Sequence, residues 1–162
     1  MGFKQLEHKF NYQLKRPLAQ LLNADLMNLI ESSLSPGFID LELATLANIE
    51  IGCRGKKIQQ SKSLFKEYNH KPIHWLESAR ESLSILRKPS KGNYKGNLYV
   101  ILRKCPPGSI NEYGVYVGST SKRIEQRFNE HKNPSKEKNL AARGMPKYAV
   151  QIMKSLSWPW RG

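Results

Sequence analysis

The stretch Y-G-V-Y-V-G-S-T-S-K-R-I-E-Q-R-F-N-E-H, Tyr113 to His131, decides the fold. It reads as a short strand, a glycine turn and a basic helix. Gly114, Val115, Tyr116 and Val117 make the strand, since β-branched and aromatic residues favour a pleated surface. Gly118 is expected to let the backbone turn sharply. Ser119, Thr120 or Ser121 is a candidate cap for the helix that follows. On that helix Arg127 and His131 are four residues apart and share a face, with Arg123 one step earlier on the same stripe. The helix is expected to carry mainly unpaired charge, because Glu125 is badly placed for Arg127 and Glu130 has no cation four residues before it.

Working outward, Gly96 to Leu102 (G-N-L-Y-V-I-L) is a second apolar run of strand character. Between the two runs, Cys105-Pro106-Pro107-Gly108 ends the first strand and lets the chain reverse. Two strands so joined make an antiparallel pair, with Tyr99 and Tyr116 on neighbouring strands and able to face one site. A third run, Tyr148 to Met153, reads as a further strand.

Leu98-Tyr99-Val100, Tyr116-Val117-Gly118 and Arg127-x-x-x-His131, in that order, resemble the GIY-YIG nuclease family. The likeness covers roughly Asn97 to Trp158, and its second half is the more specific. The family's leading glycine-isoleucine pair is Asn97-Leu98 here, and the insert between the tyrosines is longer than usual. The resemblance implies catalytic positions for Tyr99, Tyr116, Arg127 and His131: two active-site phenols, an arginine on the scissile phosphate and a histidine for proton transfer. Gly118 matches the turn glycine. The resemblance also implies Mg²⁺ or another divalent metal, held in the complete enzyme by a glutamate on a later helix. No Asp or Glu follows Glu137 in this sequence, so no metal ligand is assigned. The C-terminal part therefore reads either as a nuclease domain cut short before that helix or as one that lacks the metal ligand.

The formal charge is +14, and it is uneven. Residues 1–92 carry 14 Lys+Arg against 9 Asp+Glu, and residues 93–162 carry 13 against 4. A surface of this kind attracts polyanions by releasing their counterions. Lys122, Arg123, Lys132, Arg143 and Lys147 are the expected nucleic-acid contacts, with DNA as the partner and RNA left open. Such contacts to the backbone fix register without reading bases. Cys53 and Cys105 make no C-x-x-C pair, so no zinc site is signalled, and a reducing cytoplasm is the simpler setting. The N-terminus has no secretory pattern, and no apolar run approaches the ~20 residues that span a bilayer.

The N-terminal part, 1–92, reads as a helical module. Pro17 opens a helix to about Ser33, with Leu18, Leu21, Leu22, Leu26, Leu29 and Ile30 on one stripe. Ser35-Pro36-Gly37 stops it, and Asp40 caps a second helix, Leu41 to Asn48. Gly52 to Lys57 is expected as a basic loop, free or holding a phosphate. A third helix runs from Ser61 to about Asn69. Pro72 opens a fourth, with Ile73, Leu76, Ala79, Leu83 and Leu86 buried. Lys88 to Asn93 marks the boundary with the nuclease-like part, 93–162.

The expected fold is thus α/β (α+β), with a small antiparallel three-stranded sheet, flanking helices and a helical N-terminal module. The expected function is metal-dependent endonucleolytic cleavage of DNA, with hydrolysis by this chain open for want of the glutamate. The rivals are a non-catalytic nucleic-acid-binding module derived from a nuclease and a protein-interaction domain. Restriction, mobile-element and toxin settings all fit, and oligomeric state is not legible.

Overall fold

The computed structural model describes residues 15–55, 58–85, 96–132, 149–154 and 156. The chain divides into two compact units, Met1–Ile85 and Leu86–Gly162. Lys88 to Asn93, the expected linker, lies outside the described residues.

The first unit is helical: α1 (Asn23–Leu34), α2 (Leu41–Cys53), α3 (Ile58–Glu67) and α4 (Leu76–Ile85). Helix α2 is its hub. Leu41, Leu43, Ala44, Leu46, Ala47 and Ile51 are all buried, so the helix is apolar around most of its girth and packs against both α1 and α3. Asp40 caps it as expected, Oδ1 accepting from the Leu43 amide at 3.0 Å. Thr45 buries its hydroxyl between the Leu41 carbonyl, to which it donates, and the Ile73 amide, from which it accepts.

Helix α1 starts at Asn23, six residues later than Pro17. Residues 17–20 form a turn instead, closed by the Ala19 amide on the Arg16 carbonyl and the Leu21 amide on that of Leu18. The expected stripe is therefore broken. Leu18, Leu26, Leu29 and Ile30 are buried, but Leu22 is 71 % exposed. The second helix runs five residues beyond Asn48, through Gly52 and Cys53. The third begins at Ile58 rather than Ser61, and the fourth at Leu76 rather than Pro72. In the fourth, Leu76 is buried and Ala79 and Leu83 are half-buried, while Leu86 lies outside the described residues.

The basic loop after α2 is not free. The Arg54 guanidinium donates to Glu50 Oε1 (2.7 Å), the Leu21 carbonyl (2.8 Å), Asn23 Oδ1 (3.0 Å) and the Ala19 carbonyl (2.9 Å). It thereby ties the end of α2 to the turn before α1. Arg16 reaches the same buried carboxylate, donating to both Glu50 oxygens. The Arg16 hydrogen bond, seconded by Arg54, holds Glu50 below the usual carboxylate range despite its burial. Lys56 and Lys57 lie outside the described residues.

The second unit holds the sheet: β1 (Asn97–Lys104), β2 (Tyr113–Thr120) and β3 (Ala149–Ile152), in the order β2-β1-β3 with both pairings antiparallel. A helix, α5 (Ile124–Lys132), follows β2. Strand β1 is central, which is why Tyr99, Val100, Ile101 and Leu102 are buried in succession rather than alternately. The hairpin closes through the Cys105 amide on the Glu112 carbonyl, with Gly108 at φ +85° in its loop. Tyr99 and Ile101 form the core on one face, against Tyr116, Ile124, Phe128 and Ala149. Ile124 and Phe128 are four apart on α5, so one helix face seals this side of the sheet.

Removing the Arg54 side chain leaves Glu50 with one cation and two backbone carbonyls with no side-chain donor. Arg54→Ala is expected to cost about 2–4 kcal/mol. The check is urea unfolding followed by far-UV circular dichroism; an unchanged midpoint would show that this network carries no stability.

Candidate active site

The register of the hairpin sets the site. Tyr99 lies opposite Gly118, and Tyr116 lies opposite Ile101. The two tyrosines are thus diagonal neighbours on one face, with ring centroids 6.3 Å apart. Helix α5 then brings His131 onto that face. Its ring lies 5.9 Å from Tyr99 and 5.2 Å from Tyr116, edge-on to the latter. The Tyr99 hydroxyl and His131 Nε2 are 2.7 Å apart in a buried hydrogen bond.

Burial explains the protonation of this pair. It pushes the Tyr99 phenol above its ordinary value, outweighing nearby Arg127, which acts the other way. It pushes His131 below its ordinary value, and the positive charge of Arg127 adds to this. At neutral pH the phenol keeps its proton and the imidazole is neutral. The tautomer of the neutral ring sets the direction of the bond: Tyr99 donates to Nε2 when the ring proton is on Nδ1, and accepts from it when the proton is on Nε2. The remaining ring nitrogen, Nδ1, is buried without a hydrogen-bond partner among the described residues.

Gly118 does not make a turn. It lies inside β2 with no positive φ, and the chain turns later, at Ser121–Arg123. What matters is its missing side chain. A Cβ there would sit 2.5 Å from the Tyr99 hydroxyl oxygen, 2.6 Å from Cζ and 2.9 Å from Cε1 of Tyr116. The glycine makes room for the two phenols. The helix cap also differs from expectation. Thr120 accepts from the Lys122 amide at 3.1 Å, inside the turn, and α5 begins only at Ile124. Asn97 fastens this turn to β1 by donating to the Lys122 carbonyl at 3.1 Å.

Arg127 is half-buried beside the cluster, near enough to Tyr99 for each to shift the other's pKa. The cations around it are not unpaired. Glu130 takes Arg127 Nη1 on one oxygen (2.9 Å) and Lys122 Nζ on the other (2.5 Å). Four-residue spacing pairs Glu130 only with the uncharged Gln126, so it does not disclose these contacts. The three-residue spacing from Arg127 also meets on a helix, and that signal was available. Lys122 arrives from the turn, which no helical spacing discloses.

The other expected contacts are scattered. Arg123 is exposed, and Lys132 lies over the Phe128 ring at 5.2 Å. Arg143 and Lys147 lie outside the described residues, as do Trp158 and Trp160. Among the described residues no three His, Cys, Asp or Glu side chains form a set that could hold a metal ion. The carboxylate joined to the cluster is Glu130, through Arg127, and both its oxygens are taken by cations. The residues described therefore do not fit a divalent metal.

Since Tyr99 is 1 % exposed, it has nowhere to withdraw from a methyl group at position 118. Gly118→Ala is expected to cost about 1–3 kcal/mol and to part Tyr99 from His131. Thermal melting and the histidine ring resonances in an NMR spectrum check this; an unaltered melt with an unshifted His131 signal would refute it.

No curated protein and no solved structure matches this chain. Its C-terminal part, residues 95–158, matches the family model described as the GIY-YIG catalytic domain, which gives that part a nuclease-type fold.

Proposed function

We propose that the C-terminal unit binds DNA and hydrolyses its phosphodiester bonds as an endonuclease. One observation carries the reading: Tyr99, Tyr116, His131 and Arg127 meet on one face of the sheet, within the residues that match the nuclease family model. Nuclease domains of this family generally depend on a divalent metal ion. The described residues offer no ligand set for one, so the roles that follow from them are those of side chains.

Arg127 supplies the charge and the planar donors that a phosphate oxygen needs. Neutral His131 is the proton acceptor. His131 and Tyr99 are equally closed to bulk solvent, so the reacting water enters with the substrate and meets the pair at the Tyr99 oxygen. With the ring proton on Nδ1, the water gives its proton to the Tyr99 oxygen as the Tyr99 proton passes to Nε2; the water oxygen bonds to phosphorus, the bond from phosphorus to the leaving oxygen breaks, and the imidazolium returns its proton to that oxygen by the same route. Tyr116, half-buried at the edge of the cluster, helps to orient that water. Arg123, Lys122 and Lys132 belong to the surrounding basic surface, which holds the backbone without reading sequence.

The rival reading is a nucleic-acid-binding module without catalysis. The observation in its favour is that both oxygens of Glu130 are held by cations, leaving no carboxylate at the cluster for a metal. The two free thiols, Cys53 and Cys105, suit a reducing compartment such as the cytoplasm. Among the described residues no helix is long and apolar enough to cross a membrane.

Plasmid nicking in the presence of Mg²⁺ tests the proposal. Arg127→Ala is expected to lower the rate by about 100-fold or more, and cleavage that survives it would sink the assignment. A wild-type chain that binds DNA with a steep salt response but never nicks it supports the rival. A flat salt response points to a protein-interaction domain instead.

The pH profile gives a second test. The folded pKa of His131 is depressed, and it must be neutral to accept a proton. Activity is therefore lost as pH falls through a value below ~6.5, the ordinary histidine pKa, and stays full at neutral pH. An acid limb lying above that value would remove His131 from this role.

A further inference from the structure

Glu130 is engaged in a way the proposed mechanism does not use. Its carboxylate spans two cations that come from different parts of the chain, Lys122 from the turn and Arg127 from α5. All three side chains are accessible to solvent, at 29 %, 50 % and 21 % exposure for Glu130, Lys122 and Arg127. The trio carries a net charge of one positive unit. Two cations held by oxygens of one planar anion form the same arrangement that a phosphate receives from an arginine and a lysine. A phosphodiester that reaches Arg127 must meet the Glu130 charge on the same guanidinium, and two anions on one fork repel.

We propose that Glu130 is an internal stand-in for the phosphate of the substrate. Its carboxylate holds Arg127 and Lys122 in place in the free protein and gives them up when a phosphodiester of the nucleic-acid backbone binds. This rests on the reading of Arg127 as the phosphate contact. It adds a cost to binding, since two ion pairs open, and a benefit, since both cations are already placed. Glu130 is then a positioning residue that sets affinity.

The test is fluorescence anisotropy with a short labelled DNA duplex, with salt concentration varied. Glu130→Gln removes the competing charge but keeps a side chain of the same shape; Glu130→Ala removes both. Each is expected to bind the duplex about fivefold more tightly at low salt, the combined worth of two exposed ion pairs. The logarithmic salt slope is expected to steepen by about one, because the freed Glu130 carboxylate no longer takes up a cation as the phosphate displaces it. Glu125→Gln, on the exposed side of the same helix, controls for charge alone and is expected to change affinity by less than about twofold. In Arg127→Ala the gain from Glu130→Gln should fall to about twofold, the worth of the Lys122 pair that remains.

Binding by Glu130→Gln and Glu130→Ala no tighter than wild type would overturn the stand-in, as would an equal gain from Glu125→Gln. The two readings can fail separately. If Arg127→Ala weakens binding while neither Glu130 variant tightens it, the stand-in alone falls. If Arg127→Ala binds as wild type does, the phosphate reading of Arg127 falls, and the stand-in with it.

Discussion

A hydrogen bond between a phenol and an imidazole, both closed to water, is the contact on which the C-terminal unit is arranged. Tyr99 and His131 are each 1 % exposed. Polar groups at that depth must find partners, because an unmet donor or acceptor there costs free energy on the order of 1–3 kcal/mol. The bond constrains three elements together. Strand β1 must be central, to bury Tyr99. Residue 118 must lack a side chain, to leave the hydroxyl its space. Helix α5 must lie against the sheet along Ile124 and Phe128, so that a residue three positions beyond Phe128 meets the same face. Arg127 and Tyr116 come to the same place as consequences of that packing.

Much of this was legible in the chain because it rests on local spacing. The antiparallel hairpin follows from two apolar runs around Cys105-Pro106-Pro107-Gly108, and the shared face of Arg127 and His131 follows from helical period. Asp40 announced itself as a cap. Other features were illegible for physical reasons that differ from case to case. The stripe from Leu18 to Ile30 has helical spacing throughout, yet residues 17–20 close into a turn and Leu22 points to water. Periodicity cannot tell a helix from a turn that buries one leucine. A glycine between a strand and a helix suggests a sharp turn, whereas the use of Gly118 here is steric and depends on a tyrosine nineteen positions earlier. Such a pairing exists only once the register is set. The pairing of Glu130 with Lys122 is illegible because that cation comes from outside the helix.

Two arginines show why a basic residue cannot be assigned to a ligand from its charge. Arg54 stands in a run with two lysines, the kind of cluster that suggests a phosphate. In the fold its donors are taken by a buried carboxylate, two carbonyls and an amide oxygen, and it serves as a clasp within the helical unit. Arg127 has fewer neighbours in sequence to recommend it. It nonetheless stands beside two phenols and a neutral imidazole, with one nitrogen on a carboxylate that solvent can reach. The difference is in how the donors are used. Five N–H groups of a guanidinium met by fixed backbone oxygens are structural, while those met by one exposed carboxylate can be exchanged.

The same accounting explains why a cation and a histidine can share the site. An imidazole near an arginine is harder to protonate, and burial acts in the same direction, so His131 stands ready as an acceptor without an acid group to hold it there. On the reading proposed for Arg127, a phosphate drawn to the guanidinium would offset the positive charge that depresses His131. The imidazole would become more basic at the moment a proton has to be taken up. Glu130 already exerts a weaker effect of that sign on His131, at the cost of a place on Arg127. A carboxylate, however, cannot be both the partner of Arg127 and absent from the phosphate's path. Affinity and basicity are thus set against each other through a single side chain.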